Sequence, residues 1–109
     1  MNNNMQLNNR ELQVLNLIKN NGAIDKPISQ ETITKLTGIK KRMIEEIVKR
    51  LRCDFGHPIV SSKKEPFGYF MPRTEEEKRI GLSAYKKQIT TSTSVVEAVE
   101  SVDLESYWR

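Results

Sequence analysis

One cysteine, Cys53, and one histidine, His57, are all that this chain of 109 residues offers to a disulfide or a soft metal. A lone cysteine cannot close an intramolecular bridge, and the pair falls short of the ligand set of a structural zinc site. No metal and no cofactor are expected. Aromatic residues make up only 6% and apolar residues 37%, with a mean hydropathy of −0.59. The expected core is therefore small and the solvated surface large. No apolar run approaches the roughly 18 residues of a membrane span. The opening Met1-Asn2-Asn3-Asn4-Met5 has neither the basic nor the apolar segment of a secretory leader. No membrane association and a reducing, cytoplasmic setting are the expectations. Catalytic parts are missing too: no P-loop, nucleophile elbow or dinucleotide glycine pattern accompanies the single Cys53–His57 segment. An enzyme is not expected.

What the chain has in excess is positive charge, a formal +4 from 18 basic and 14 acidic side chains. It is unevenly spread. Residues 1–52 hold ten Lys/Arg against five acids, whereas residues 74–109 hold five against seven. A basic front and a slightly acidic tail suggest a polyanion-binding module followed by a segment with another task.

Hydrophobic spacing sets the organisation. Residues 1–8 lack periodicity and are expected to be disordered. Leu12, Leu15 and Ile18, with Val14 beside them, predict a first helix from Asn9 to Asn20, capped by Asn8 or Asn9 and stopped at Asn21-Gly22 by a left-handed residue. Residues 23–28 read as a connector or a short edge strand. Ser29 caps a second helix that runs to Leu36 and stops at Thr37-Gly38. Ile39, Met43, Ile44, Ile47, Val48 and Leu51 predict a third helix over residues 40–53. Gly56 and Pro58 break it. Two short β-prone runs, Ile59–Ser62 and Tyr69–Met71, flank a polar turn and predict a hairpin. Thr74 with Glu77 forms a capping box ahead of a fourth helix. Leu82, Tyr85, Ile89, Val96 and Val99 make a narrow apolar seam along it. The Thr90–Ser94 run of poor helix formers either lies within one long helix or breaks it in two. The fold class is thus mainly α with a small β-hairpin (α+β).

Two helices joined through Gly38 form a helix-turn-helix, with Ile33, Ile39, Ile44 and Ile47 turned inward and Lys40, Lys41 and Arg42 at the outward start of the third helix. From Ile28 to Pro72, and with the first helix from Asn9 to residue 73, the chain resembles the winged helix-turn-helix family of DNA-binding proteins. The resemblance lies in the Thr37-Gly38-Ile39 turn, the Leu51-Arg52 end of the third helix and a wing that closes with Gly68-Tyr69. The wing is similar to that of biotin-operon repressors, where a Gly-Tyr pair also follows the wing turn. Small phage and prophage winged-helix proteins look similar as well, including an acidic Thr-Glu-Glu start to a trailing helix.

The resemblance implies a double-stranded DNA partner. Lys40, Lys41 and Arg42 would approach the major groove, with Glu45 and Lys49 one and two turns further along; Arg42 would donate to a guanine edge and Glu45 accept from a cytosine amino group. Ser29 and Gln30 would meet a phosphate, and Lys63 and Lys64 at the wing turn would reach the flanking backbone or minor groove. Plainer roles stand beside these. The three cations also suit a solvated helix start, Lys63 and Lys64 an ordinary hairpin tip, and Glu45 and Glu46 ion pairs with Lys49 and Arg50. Tyr69 and Phe70 read as core, Met43 as core or groove lining, Cys53 as a small buried residue at a helix end, and His57 as a turn residue.

The tail, residues 74–109, reads as a helical extension whose seam (Leu82, Tyr85, Ile89, Val96, Val99) serves a homodimer, or else packs back on the domain; Trp108 is a candidate anchor for a protein partner. The expected function is sequence-specific DNA binding in transcription regulation of bacterial or phage origin. The alternatives are a protein-interaction adaptor on the same scaffold, favoured by Glu45, Glu46 and the acidic tail, and a replication or packaging accessory factor.

Overall fold

The computed structural model describes residues 7–87 and 93–109. It is mainly helical with a two-stranded antiparallel hairpin, in the order α1 (Asn9–Asn21), α2 (Gln30–Thr37), α3 (Lys41–Cys53), β1 (Val60–Ser61), β2 (Tyr69–Phe70), α4 (Glu75–Lys87), α5 (Thr93–Glu100) and α6 (Leu104–Tyr107). Among the described residues no helix is long and apolar enough to cross a membrane.

Asn8 starts α1 through a reciprocal cap. Its side chain accepts from the Glu11 N–H at 2.8 Å, and Glu11 accepts in turn from the Asn8 N–H at 3.0 Å. Leu7 already packs against the core, so residues 7 and 8 belong to the folded body rather than to the opening stretch expected to be disordered, the rest of which lies outside the described residues. The helix stops where its sequence predicts, but for a different reason. Gly22 is extended (φ −97°, ψ 107°), not left-handed. Glycine is needed there because a Cβ would stand 2.6 Å from the Tyr69 carbonyl oxygen and 2.9 Å from that of Ile18. The hairpin is pressed onto the end of α1 at this point, and the Met71 N–H donates to the Gly22 carbonyl.

Val14, Ile18, Ile33, Ile44 and Leu51 are fully buried where the three helices meet, with Ile39 and Ile47 almost so. Each such side chain contributes about 1.5–3 kcal/mol by leaving water. Ile33, Ile39, Ile44 and Ile47 turn inward as the spacing predicts, whereas Leu12 and Met43, which share the periodic runs, lie on the exposed side of their helices. The strands are shorter than their β-prone runs because their ends have other partners: Ile59 N–H donates to the His57 carbonyl, and Met71 turns to Gly22. Val60 pairs with Phe70 and Ser61 with Tyr69. On its other edge Tyr69 exchanges two backbone hydrogen bonds with Ile28, at 2.8 and 2.9 Å, so the connector is tied in beside β2.

Thr74 accepts from the Glu77 N–H at 3.1 Å and begins α4, while Glu77 reaches back to the N–H of Arg73 rather than that of Thr74. Half of the expected capping box is therefore made. Lys78, near the start of α4, donates its ammonium to the carbonyls of Glu100 and Val102 at the far end of α5. One straight helix would hold these ends about 35 Å apart. The chain doubles back instead, and the single long seam is excluded. Leu82, Tyr85 and Val99 are buried with Val60 and Phe70 in a second core cluster, with Val96 packed at its margin. Tyr85 also closes the outer edge of β1: its hydroxyl accepts from the Ser61 N–H at 2.9 Å and donates to the Ser61 carbonyl at 3.1 Å. These side chains are used inside the chain and do not present an exposed seam to a second copy. Ile89, and most of the stretch over residues 90–94 where a break was in question, lie outside the described residues.

Candidate nucleic-acid interface

The cationic start of α3 follows from the turn that precedes it. Gly38 takes the left-handed conformation (φ 79°) that ends α2, and its N–H donates to the Thr34 carbonyl at 2.7 Å. Thr37 fixes the exit: its hydroxyl donates to the Ile33 carbonyl and accepts from the Ile39 N–H. Ile39 is drawn into the core, and the next three residues, Lys40, Lys41 and Arg42, stand in solvent. Lys40 is the N-cap residue but makes no side-chain cap, so α3 starts at Lys41 with its first N–H groups uncovered by a side chain. Among the described residues none of these three cations enters an ion pair. Lys49 is exposed further along the same helix.

Gln30 holds three elements in register. Its amide donates to the Tyr69 hydroxyl at 2.7 Å and to the Glu45 carboxylate at 3.3 Å, joining α2 to β2 and α3. Burial raises the Tyr69 phenol above its ordinary value, so it stays protonated at neutral pH. The Ser29 hydroxyl accepts from the Thr32 N–H and donates to the Thr32 hydroxyl. The side-chain donors of Ser29 and Gln30, expected at a phosphate, are thus turned to positioning α2 and the hairpin. Glu45 is exposed and takes Gln30 rather than Lys49. Arg50 pairs with Glu11 instead, at 2.9 Å, where the Glu11 side chain is 4% exposed.

The hairpin loop faces α2 and α3 across an open cleft of about 260 Å³, walled by Ser29, Gln30 and Lys41 on one side and by Ser62, Phe67 and Gly68 on the other. Lys64 is exposed at the loop tip. Lys63 leans the other way, its ammonium 4.4 Å from the centroid of the Tyr85 ring. The cleft itself is lined by one basic residue, Lys41, whose neighbours Lys40 and Arg42 are exposed beside it, and by one acid, Glu31; Lys64 lines the groove on the side of Ile80 and Ala84, and Lys63 is held by the tail. Met43 is part-exposed and lines a separate groove beside Glu11 and Arg50. Cys53 is exposed, not buried, because α3 ends with that side of its last turn in solvent. Arg52 is the buried residue there, donating to the Ile59 carbonyl at 2.9 Å.

The opposite corner carries a cluster that the sequence does not announce. His57 Nδ1 and the Tyr107 hydroxyl share a 2.6 Å hydrogen bond across fifty residues of sequence. Burial, reinforced by the Lys19 charge, lowers the His57 pKa below its ordinary 6.5, so the ring is neutral at pH 7. Burial also pushes the Tyr107 phenol up to about 12. Trp108 donates its indole N–H to the Pro72 carbonyl at 3.0 Å, and the Arg73 guanidinium lies 3.9 Å from its ring centroid. The candidate anchor is docked on its own domain.

No family model, curated protein or solved structure matches this chain.

Proposed function

We propose that the chain binds double-stranded DNA sequence-specifically as a regulator of transcription of bacterial or phage type. On this reading the fold is a winged helix-turn-helix, with α3 lying in the major groove and the hairpin as a wing on the flanking backbone. The observation that carries it is the exposed Lys40-Lys41-Arg42 start of α3, without an ion-pair partner among the described residues, set across one cleft from the hairpin loop. Cations at uncovered helix N–H groups attract phosphate strongly, and a helix presented end-on by a rigid turn fits a groove wide enough for it. Lys40 and Lys41 meet the backbone, Arg42 a guanine edge, and Lys49 and Lys64 the flanking phosphates. Gln30 acts at one remove by holding α2 against α3 and the hairpin, and Ser29 by capping α2.

A gel-shift titration with a duplex selected from a random pool tests this. Lys41→Glu combined with Arg42→Glu is expected to weaken binding by about 100-fold near 0.1 M salt and to lower the salt slope by about 2. Unchanged affinity rejects the assignment of α3. A protein-interaction role is the second reading, favoured by an apolar groove of about 310 Å³ between Ile24, Phe70 and Ala84, where Ile80 is 48% exposed. Under that reading Ile80→Asp removes a bound protein partner, whereas the double charge reversal on α3 does not.

A further inference from the structure

Phe67 is the single large apolar side chain of the loop between β1 and β2, and 60% of it is exposed. The segment that carries it is not loosely held. Tyr69, two residues on, is bonded through both N–H and carbonyl to Ile28, immediately before the Ser29 cap of α2. Phe67 shares the walls of the cleft with Lys41 and one acid, Glu31, while Lys63 and Lys64, which precede it on the loop, line the groove on its other side. A polyanion drawn to Lys41 therefore meets an exposed aromatic side chain on the opposite wall of the same cleft. Phosphates have nothing to gain from such a face, whereas bases do, by stacking or by yielding to an apolar wedge.

We infer that Phe67 is a base-contacting wedge, which rests on the DNA-binding reading above. Its ring enters the minor groove beside the α3 site and packs against a step that unstacks readily, such as a pyrimidine–purine step. Lys41 and the exposed Lys64 meet the backbone and carry no sequence information; Phe67 supplies discrimination through the cost of opening the step beneath it.

Fluorescence anisotropy with two duplexes of about 20 base pairs, one rich in TA steps and one built of A-tracts without them, tests the wedge. The wild-type chain is expected to favour the TA-rich duplex about tenfold; Phe67→Ala binds both equally, and Phe67→Trp keeps the preference. The salt slope is the same for all three, because no cation is changed. A Phe67→Ala variant indistinguishable from wild type, or a wild type without preference, overturns the wedge while binding that still requires Lys41 keeps the DNA reading. Failure of the folded wild-type chain to bind either duplex overturns both.

Discussion

Lys40, Lys41 and Arg42 at the start of α3 stand in solvent without an ion pair among the described residues, whereas Lys19 and Arg73 at the opposite corner lie over aromatic rings. Lys19 sits 5.0 Å from the Tyr107 centroid, and Arg73 covers Trp108 while donating to the Lys19 carbonyl. The same residue types thus serve different ends. A cation over a ring has already found a partner and contributes about 0.5–1 kcal/mol to the fold at an exposed site. A cation without one leaves its field to whatever arrives. The C-terminal segment follows the corner and not the tip: Leu82 and Tyr85 turn inward against the hairpin, Tyr107 and Trp108 against the first core, and Leu104 is buried.

The contrast separates into changes that should weaken the fold and changes that should weaken only binding. Leu82→Ala, which empties a fully buried position beside Val60 and Phe70, is expected to cost about 2–5 kcal/mol in urea unfolding. That loss should be independent of protein concentration, since the contact is within one chain; a concentration-dependent midpoint would return the seam to a dimer. The charge reversal at Lys41 and Arg42 should do the opposite, costing affinity while leaving the unfolding midpoint within about 0.5 kcal/mol of wild type. Trp108→Ala comes next, at about 1–3 kcal/mol, because a half-buried indole and its hydrogen bond to Pro72 are lost together. DNA affinity per folded molecule should not change. An affinity loss as large as that of the α3 variant would mean that the two regions are coupled.

The smallest effect concerns His57. Its pKa is lower in the folded chain than the unfolded value of 6.5, so the unfolded chain takes up its proton first as the pH falls. Stability from this site is complete above 6.5 and declines below it until the folded value is passed. Thermal midpoints measured between about pH 7 and pH 5 should therefore fall a little more for wild type than for His57→Asn, which has nothing to protonate. Equal falls would show that the hydrogen bond to Tyr107 tolerates the imidazolium.

Much of this body was legible before any coordinate. The inward isoleucines of α2 and α3, the Asn8 and Ser29 caps, the Gly38 stop and the Lys40-Lys41-Arg42 tip depend on neighbours within a turn or two, and spacing reports them. Phe67 was hidden because a polar turn was read by its composition, although a lone aromatic in such a turn was the available signal. Ser29 and Gln30 are expected at a phosphate because nothing local shows that Tyr69 and Glu45 come within reach of Gln30.

By itself, then, the order of residues determined where α1, α2 and α3 begin and end, which of their faces are apolar and where positive charge collects, since those depend on short-range sterics, capping and period; it left the division of the tail into α4, α5 and α6 open. Tertiary structure alone decided the partners. It turned the seam of α4 and α5 onto Val60 and Phe70, pressed Gly22 against Tyr69, and brought His57 to Tyr107. An amphipathic face specifies only that it must leave water, and which surface covers it is settled by where the rest of the chain has already gone.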